Sequence, residues 1–182
     1  DVPADLNNVV SIAVGDDHSI ALKNDGTVVS WGSNDNGQLD ISFTQDVVSI
    51  SASSDNSVAL KNDGTIVAWG LNNRGQTNVP VTLDNVVYVA TGDFHSLALK
   101  SDGKVVAWGL NNRGQTNVPV GLNNVIFIAV SDFYSVALKS DGTIVTWGSN
   151  EGRLLNVPEG LIARLPEGLI ARLPGNPAAS SD

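Results

Sequence analysis

Apolar residues recur along the chain in short alternating runs, separated by small polar residues. Val86, Val87, Val89 and Ala90 form a run rich in β-branched side chains, which favours a strand. A turn at Gly92-Asp93 follows. From His95 to Lys100 the pattern alternates: His95, Leu97 and Leu99 share one face, and Ser96, Ala98 and Lys100 the other. Asp102-Gly103 then marks a tight hairpin, because glycine adopts positive φ without a Cβ clash. A further run, Lys104 to Trp108, puts Val106 and Trp108 on one face and Val105 and Ala107 on the other. It ends in the polar loop Asn111-Asn112-Arg113-Gly114-Gln115, and Pro119 breaks pairing before the next run. The expected unit is a small meander of three strands with apolar or small residues on both faces. Such a sheet must be covered on both sides.

The unit repeats. Trp31, Trp69, Trp108 and Trp147 are spaced 38, 39 and 39 residues apart, and residues 67–81 and 106–120 are identical. Asp25-Gly26, Asp63-Gly64 and Asp141-Gly142 fill the slot of Asp102-Gly103. The chain divides into repeats at 1–39, 40–77, 78–116 and 117–154, followed by a truncated fifth repeat and low-complexity tail at 155–182. A period near 39 with this strand content points to β-propeller blades. Glycine and asparagine in every unit exclude a helical solenoid. The expected fold class is all-β: a propeller-type repeat protein with four three-stranded blades, partial or open, plus an irregular C-terminal tail. A closed ring of four is the competing arrangement.

These residues resemble the repeat family of the regulator of chromosome condensation. The family pattern is a small-residue turn, H-S-L-A-L, D-G-x-V and W-G-x-N-x-x-G-Q. Here it stands as Gly92, His95 to Leu99, Asp102-Gly103, Val105 or Val106, Trp108-Gly109, Asn111 and Gly114-Gln115. The resemblance covers roughly residues 1–154. It implies a propeller whose repeats usually close as a seven-bladed ring. The short period and N-V-P linkers are similar to the compact bacterial branch, which includes a secreted β-lactamase-inhibitory propeller. Longer eukaryotic relatives include a guanine-nucleotide exchange factor that binds chromatin. The likeness to the bacterial branch favours an extracellular setting.

The chain departs from the pattern in places. Asn56 replaces His in repeat 2, and Tyr134 replaces it in repeat 4. Repeat 4 is one residue short after Trp147, reading Ser149-Asn150-Glu151-Gly152-Arg153. Asn156-Val157-Pro158 opens a fifth unit that gives way to a duplicated P-E-G-L-I-A-R motif. Pro166 and Gly168 argue against one continuous helix there, and the segment is expected to cover the edge of the last blade.

Composition narrows the function. Ten Lys and Arg oppose nineteen Asp and Glu, for a net charge of −9. That argues against nucleic acid, whose phosphates need clustered cations. No run of about eighteen apolar residues appears, so no membrane partner is expected. With no Cys and two His, thiol chemistry and Cys- or His-based metal sites are not expected. The chain lacks Met even at position 1, which reads as a processed or shortened product. As repeats, 182 residues make an arc of four blades with an unpaired face at each end, open to self-association.

No catalytic, cofactor or metal residues are expected. His18-Ser19 and His95-Ser96 are neighbours on a strand, so each pair points to opposite faces and fails as nucleophile and base. His18 and His95 are expected to be structural, hydrogen-bonding within or between blades. Ser33-Asn34-Asp35-Asn36-Gly37 resembles a Ca²⁺ loop, but that spacing puts Gly32 first and Phe43 twelfth, where carboxylates are needed. No glycine-rich phosphate loop occurs. Trp31, Trp69, Trp108 and Trp147 are expected to fill the spaces between blades. Residues that vary between blades are the candidates for partner contact. One set follows the Trp: Leu71, Asn73 and Arg74, with Leu110, Asn112 and Arg113. The other precedes or occupies the His slot: Phe94, Phe133 and Tyr134. Aromatics and Arg dominate interface energetics. The expected function is a non-catalytic protein-binding module. Inhibition of a secreted enzyme such as a β-lactamase is the alternative. A guanine-nucleotide exchange or chromatin role ranks lower, given the acidic charge.

Overall fold

The computed structural model describes residues 1–42 and 45–151. The tail from 155 onward, including the duplicated motif and its expected edge-covering role, lies outside the described residues. Four antiparallel three-stranded sheets follow one another along the chain, each a simple meander. Blade 1 holds β1 (Val9–Val14), β2 (His18–Lys23) and β3 (Val28–Gly32). Blade 2 holds β4 (Val47–Ser53), β5 (Asn56–Lys61) and β6 (Ile66–Gly70). Blade 3 holds β7 (Val86–Thr91), β8 (His95–Lys100) and β9 (Val105–Gly109). Blade 4 holds β10 (Val125–Val130), β11 (Tyr134–Lys139) and β12 (Ile144–Gly148). The first strands β1, β4, β7 and β10 stand side by side in that order, and the blades fan outward from them. β10 does not come back to pack on β1 as consecutive first strands pack on each other, so the array is an open arc.

Two local devices recur that alternation alone does not show. Each first strand is bulged one residue in, between Val9 and Ser11, Val47 and Ser49, Val86 and Tyr88, and Val125 and Phe127. The residue before it (Asn8, Asp46, Asn85 or Asn124) has positive φ, which Asn and Asp tolerate best among side-chain-bearing residues. Its carbonyl accepts from the hairpin N–H of Asn24, Asn62, Ser101 or Ser140, pinning the strand entry to the next turn. The Asp-Gly hairpins also take a specific form. Gly103 has φ +76° while Asp102 does not have positive φ. The Gly103 N–H donates to the Lys100 carbonyl, and the Asp102 carboxylate accepts from the Lys104 N–H at 3.1 Å. This is a type I turn closed by a left-handed glycine, not a two-residue loop needing positive φ twice.

The core lies between blades as three apolar layers. Across each of the three layers one blade presents a forward face to the backward face of the next. Ile20 and Leu22 of blade 1 pack on Val47, Ile50, Ala59 and Trp69 of blade 2. Val58 and Leu60 then pack on Val86, Val89, Ala98 and Trp108. Leu97 and Leu99 pack on Val125, Ile128, Ala137 and Trp147. Leu forward and Ala backward is what lets neighbouring sheets close on one another: a large side chain meets a small one across each layer.

Candidate functional site

The site is built on the joints between blades. His95 and Ser135 are both fully buried, and the His95 Nε2 lies 2.8 Å from the Ser135 Oγ of the next blade. Ser135 donates its single hydroxyl proton to the Gln115 carbonyl at 3.0 Å. It must therefore accept from His95, which fixes the Nε2–H tautomer. His18 meets Ser57 in the same way at 2.7 Å. In repeat 2, Asn56 does the equivalent work, donating to the Gly92 carbonyl at 3.1 Å and accepting from the Thr91 hydroxyl at 2.6 Å. These His–Ser pairs resemble a base and nucleophile in distance only, since no substrate reaches a fully buried hydroxyl. Burial pushes the His95 imidazole down to about 4, opposed by the Asp132 carbonyl. His18 is lowered for the same main reason, with the Ser54 carbonyl and the Asp55 and Asp16 carboxylates opposing.

The glutamine that closes each post-Trp loop is a residue the sequence pattern does not distinguish from its polar neighbours. Gln38, Gln76 and Gln115 are at most 1% exposed. The Gln76 carbonyl accepts from the Trp108 indole N–H at 2.9 Å and from the Ser96 hydroxyl at 3.0 Å, both one blade ahead. Gln115 receives Trp147 at 2.9 Å, and Gln38 receives Trp69 at 2.7 Å. Trp69, Trp108 and Trp147 are 5–7% exposed, whereas Trp31, which has no blade before it, is half-buried. The Gln76 side chain accepts the Arg74 N–H at 2.9 Å and donates to the Asp93 carbonyl at 3.1 Å. Gln76→Ala strips the Arg74 N–H of its acceptor and leaves the Asp93 carbonyl only the Asn56 amide at 3.3 Å, so a loss of about 1–3 kcal/mol in urea unfolding is expected. A change below about 0.5 kcal/mol would contradict this clamp role.

Both variable sets emerge at one end of the arc. The residue after each W-G glycine donates its N–H to the residue before the His slot: Leu71 to Asp55, Leu110 to Phe94 and Ser149 to Phe133, each at 2.8 Å. The glycine is required there. A Cβ on Gly109, at φ +105°, would lie 2.6 Å from the Phe94 carbonyl oxygen. Phe94 and Phe133 thereby meet across neighbouring blades, with ring centroids 5.1 Å apart and planes tilted by 30°. Phe133 is 37% exposed and Phe94 half-buried. Leu71 and Leu110 are half-buried, while Asn73, Arg74, Asn112 and Arg113 are exposed. Arg113 is paired with Glu151 of the next blade. Tyr134 opens β11 in the His slot and lines a shallow dent with Phe133, Ser149 and Glu151. The loops owe their shape to another asparagine: Asn72 and Asn111 each bridge to Asn78 or Asn117 at 2.7 Å. Asn73 and Asn112 are both exposed, and the Asn112 Oδ1 lies 3.4 Å from the Gln115 side-chain amide, which donates to it. The same end is acidic. Burial raises the Asp93 carboxyl, and the Asp132, Asp16 and Asp55 carboxylates add to it. Among the described residues, no group of three or more His, Cys, Asp or Glu is placed to hold a metal.

Comparison with known proteins agrees with this geometry. The regulator of chromosome condensation (RCC1) repeat matches residues 9–38, 47–76, 86–115 and 125–152, more than half of the chain. No curated protein matches the chain. Among solved structures, Prp20p from Saccharomyces cerevisiae, described with its binding to Gsp1p and histones, is 25% identical. The match covers 77% of this chain and 45% of that one, with a TM-score of 0.67. The structure of Kap60 bound to yeast RCC1 (Prp20) matches at 23% identity over 88% and 48% of the chains, with a TM-score of 0.73. The ectodomain of the Physcomitrella patens receptor kinase CR4 matches at 26% identity over 77% and 40%, with a TM-score of 0.63. The chain thus spans less than half the length of these relatives.

Proposed function

Because the chain belongs to the regulator of chromosome condensation repeat family, whose propellers are generally protein-interaction modules, we propose that it binds a protein through the end of the arc carrying both variable loop sets. One observation carries the reading. The joints are built from repeated residues, yet the end they support bears blade-specific ones, with the Phe94–Phe133 pair beside the Arg74 and Arg113 loops. A stacked, partly exposed aromatic pair flanked by Arg has the make-up of an interface anchor. The surrounding carboxylates favour a partner that brings cations to the rim. Prp20p, described as binding Gsp1p and histones, supports a protein as the partner class. The site holds no described feature that favours inhibition of a secreted enzyme over other protein partners, so that alternative rests on the family likeness alone.

Affinity capture from the native source supplies the partner for the test. Phe94→Ala, Arg74→Ala and Arg113→Ala are expected to weaken the complex, the Phe94 change by tenfold or more, or about 1.4 kcal/mol. Unfolding midpoints should move little, because these side chains sit outside the three interblade layers. Unchanged affinity in all three variants would overturn the assignment.

A further inference from the structure

We propose that the cleft between the β5–β6 hairpin and the linker into blade 3 holds an extended peptide segment of a partner protein, one with a Lys or Arg beside an aliphatic residue. The cleft lies at the far end of β5 from Asn56, so it stands apart from the surface proposed above.

The first observation is a hydrogen bond made at two joints and missing from the one between them. The hairpin glycine carbonyl of one blade accepts from the first-strand N–H of the next: Gly26 from Val47 and Gly103 from Val125, each at 3.1 Å. Between blades 2 and 3 the equivalent groups, the Gly64 carbonyl and the Val86 N–H, make no such bond. The hairpin stands further off there. A Cβ on Gly26 or Gly103 would lie 3.2 Å from the Val47 or Val125 nitrogen, but on Gly64 it would lie 4.0 Å from that of Val86. Ile66 is accordingly half-buried where Val28 and Val105 are buried. Val86 is nevertheless only 6% exposed, and a main-chain donor that deep needs an acceptor. The gap opens into a cleft of about 520 Å³, within the range of ligand sites. Ile66, Val79 and Leu83 make its apolar floor.

The second observation is charge. Every hairpin carries an Asp in the same place. Asp25 lies 3.9 Å from Lys23, Asp102 2.8 Å from Lys104 and Asp141 3.2 Å from Lys139. Asp63 makes no ion pair among the described residues, with only the more distant Lys61 charge acting on it. Thr65 stands where blade 3 has Lys104. The linker adds a second carboxylate, Asp84, where the neighbouring linkers carry Gln45 and Asn123. The Lys100 ammonium already sits on Asp84 at 2.6 Å, so the cation still called for is at Asp63. Together these features specify the occupant. A peptide bond offers a carbonyl to the Val86 N–H and an N–H to the Gly64 carbonyl, as a strand added to a sheet does. An aliphatic side chain covers the floor. A Lys or Arg reaches Asp63 with its methylenes lying on the same apolar surface. Water meets only the first of these needs.

Amide NMR of the 182-residue chain, with acetyl-Val-Arg-Val amide as the probe, tests this. In the free chain the Val86 N–H should exchange with solvent about tenfold faster, or more, than those of Val47 and Val125. Millimolar probe should shift the Val86 and Gly64 amide signals and leave those of Val125 and Gly103 in place. Replacing the probe's Arg by Gln should weaken binding about three- to fivefold, the worth of an exposed ion pair. Asp63→Asn should weaken the Arg probe equally and bind both probes alike. Thr65→Lys copies the blade 3 arrangement and should also weaken the Arg probe. Both positions are exposed, so neither change should disturb the fold by circular dichroism. Equal protection of Val86 and Val125 in the free chain overturns the proposal, since the joint is then closed. A fast-exchanging Val86 that responds to neither probe also overturns it, leaving water as the occupant. So do equal shifts at Val125 and Gly103, or equal affinity of the unaltered chain for the two probes.

Discussion

Trp108→Ala is expected to lower the unfolding free energy by about 3–5 kcal/mol, the range for truncating a buried aromatic. Trp108 is 7% exposed and lies in the layer between blades 2 and 3 against Val58, Leu60 and Val89. Truncation empties that layer and also strips the Gln76 carbonyl of its indole donor. The Ser96 hydroxyl still reaches the same carbonyl, so the polar loss is partial and the cavity dominates. Trp31→Ala is the internal control. It is half-buried and belongs to none of the three layers, so its cost should be less than half as large in a single chain. Urea unfolding followed by far-ultraviolet circular dichroism gives both values. Equal costs for Trp108 and Trp31 would show that the interblade layer is not what Trp108 supports.

Acidification should unfold the protein through His95. Its imidazole titrates near 4 in the folded state, against the ordinary 6.5 when the chain is open. Between those values the unfolded chain binds the proton more readily. Stability from the buried neutral ring is therefore fully present above pH 6.5 and is lost as pH falls toward 4. A shift of that size corresponds to about 3 kcal/mol. His18 adds to the loss in the same direction. Asp93 pulls the other way: its carboxyl is raised by burial, so its protonation as pH falls favours the folded state. His95→Asn isolates the imidazole, because Asn56 already fills the same slot in blade 2. The variant should lose most of the pH dependence between 6.5 and 4 while remaining folded at neutral pH. An unchanged slope in urea titrations across that range would refute the assignment.

The architecture was open to reading from the chain because a strand's period and a repeat's period are both linear quantities. His95 to Lys100 alternates in sequence and is β8 in the structure. The partners across the joints were not open in that way. Alternation says that His95 and Leu97 share a face, but not that this face meets Ser135. The nearest serine in sequence, Ser96, points the opposite way and bonds to the Gln76 carbonyl of the blade before. Gln76 itself sits among exposed asparagines and reads as one more loop residue. Its complete burial follows from the next blade closing over it, a contact that exists only after the sheets have stacked. The convergence of the two variable sets is hidden for a similar reason. Phe94 and Leu110 are distant in sequence and are joined by one hydrogen bond across the sheet end.

The direction of the joints bears on how such a chain can change its length. His95 and Gln76 face forward, His95 to the Ser135 hydroxyl and the Gln76 carbonyl to the indole N–H that Trp108 donates back to it. Every repeat thus carries both a plug and a socket, in fixed chain order. Copying a whole repeat in tandem, or deleting one by unequal crossing-over, leaves each interior plug facing a matching socket. The identical residues 67–81 and 106–120 each contain the Trp that closes one joint and the Gln that opens the next. Blade number can therefore drift with the Trp–Gln bonds kept, whereas the Asn56–Thr91 bond ties blade 2 to blade 3 in particular.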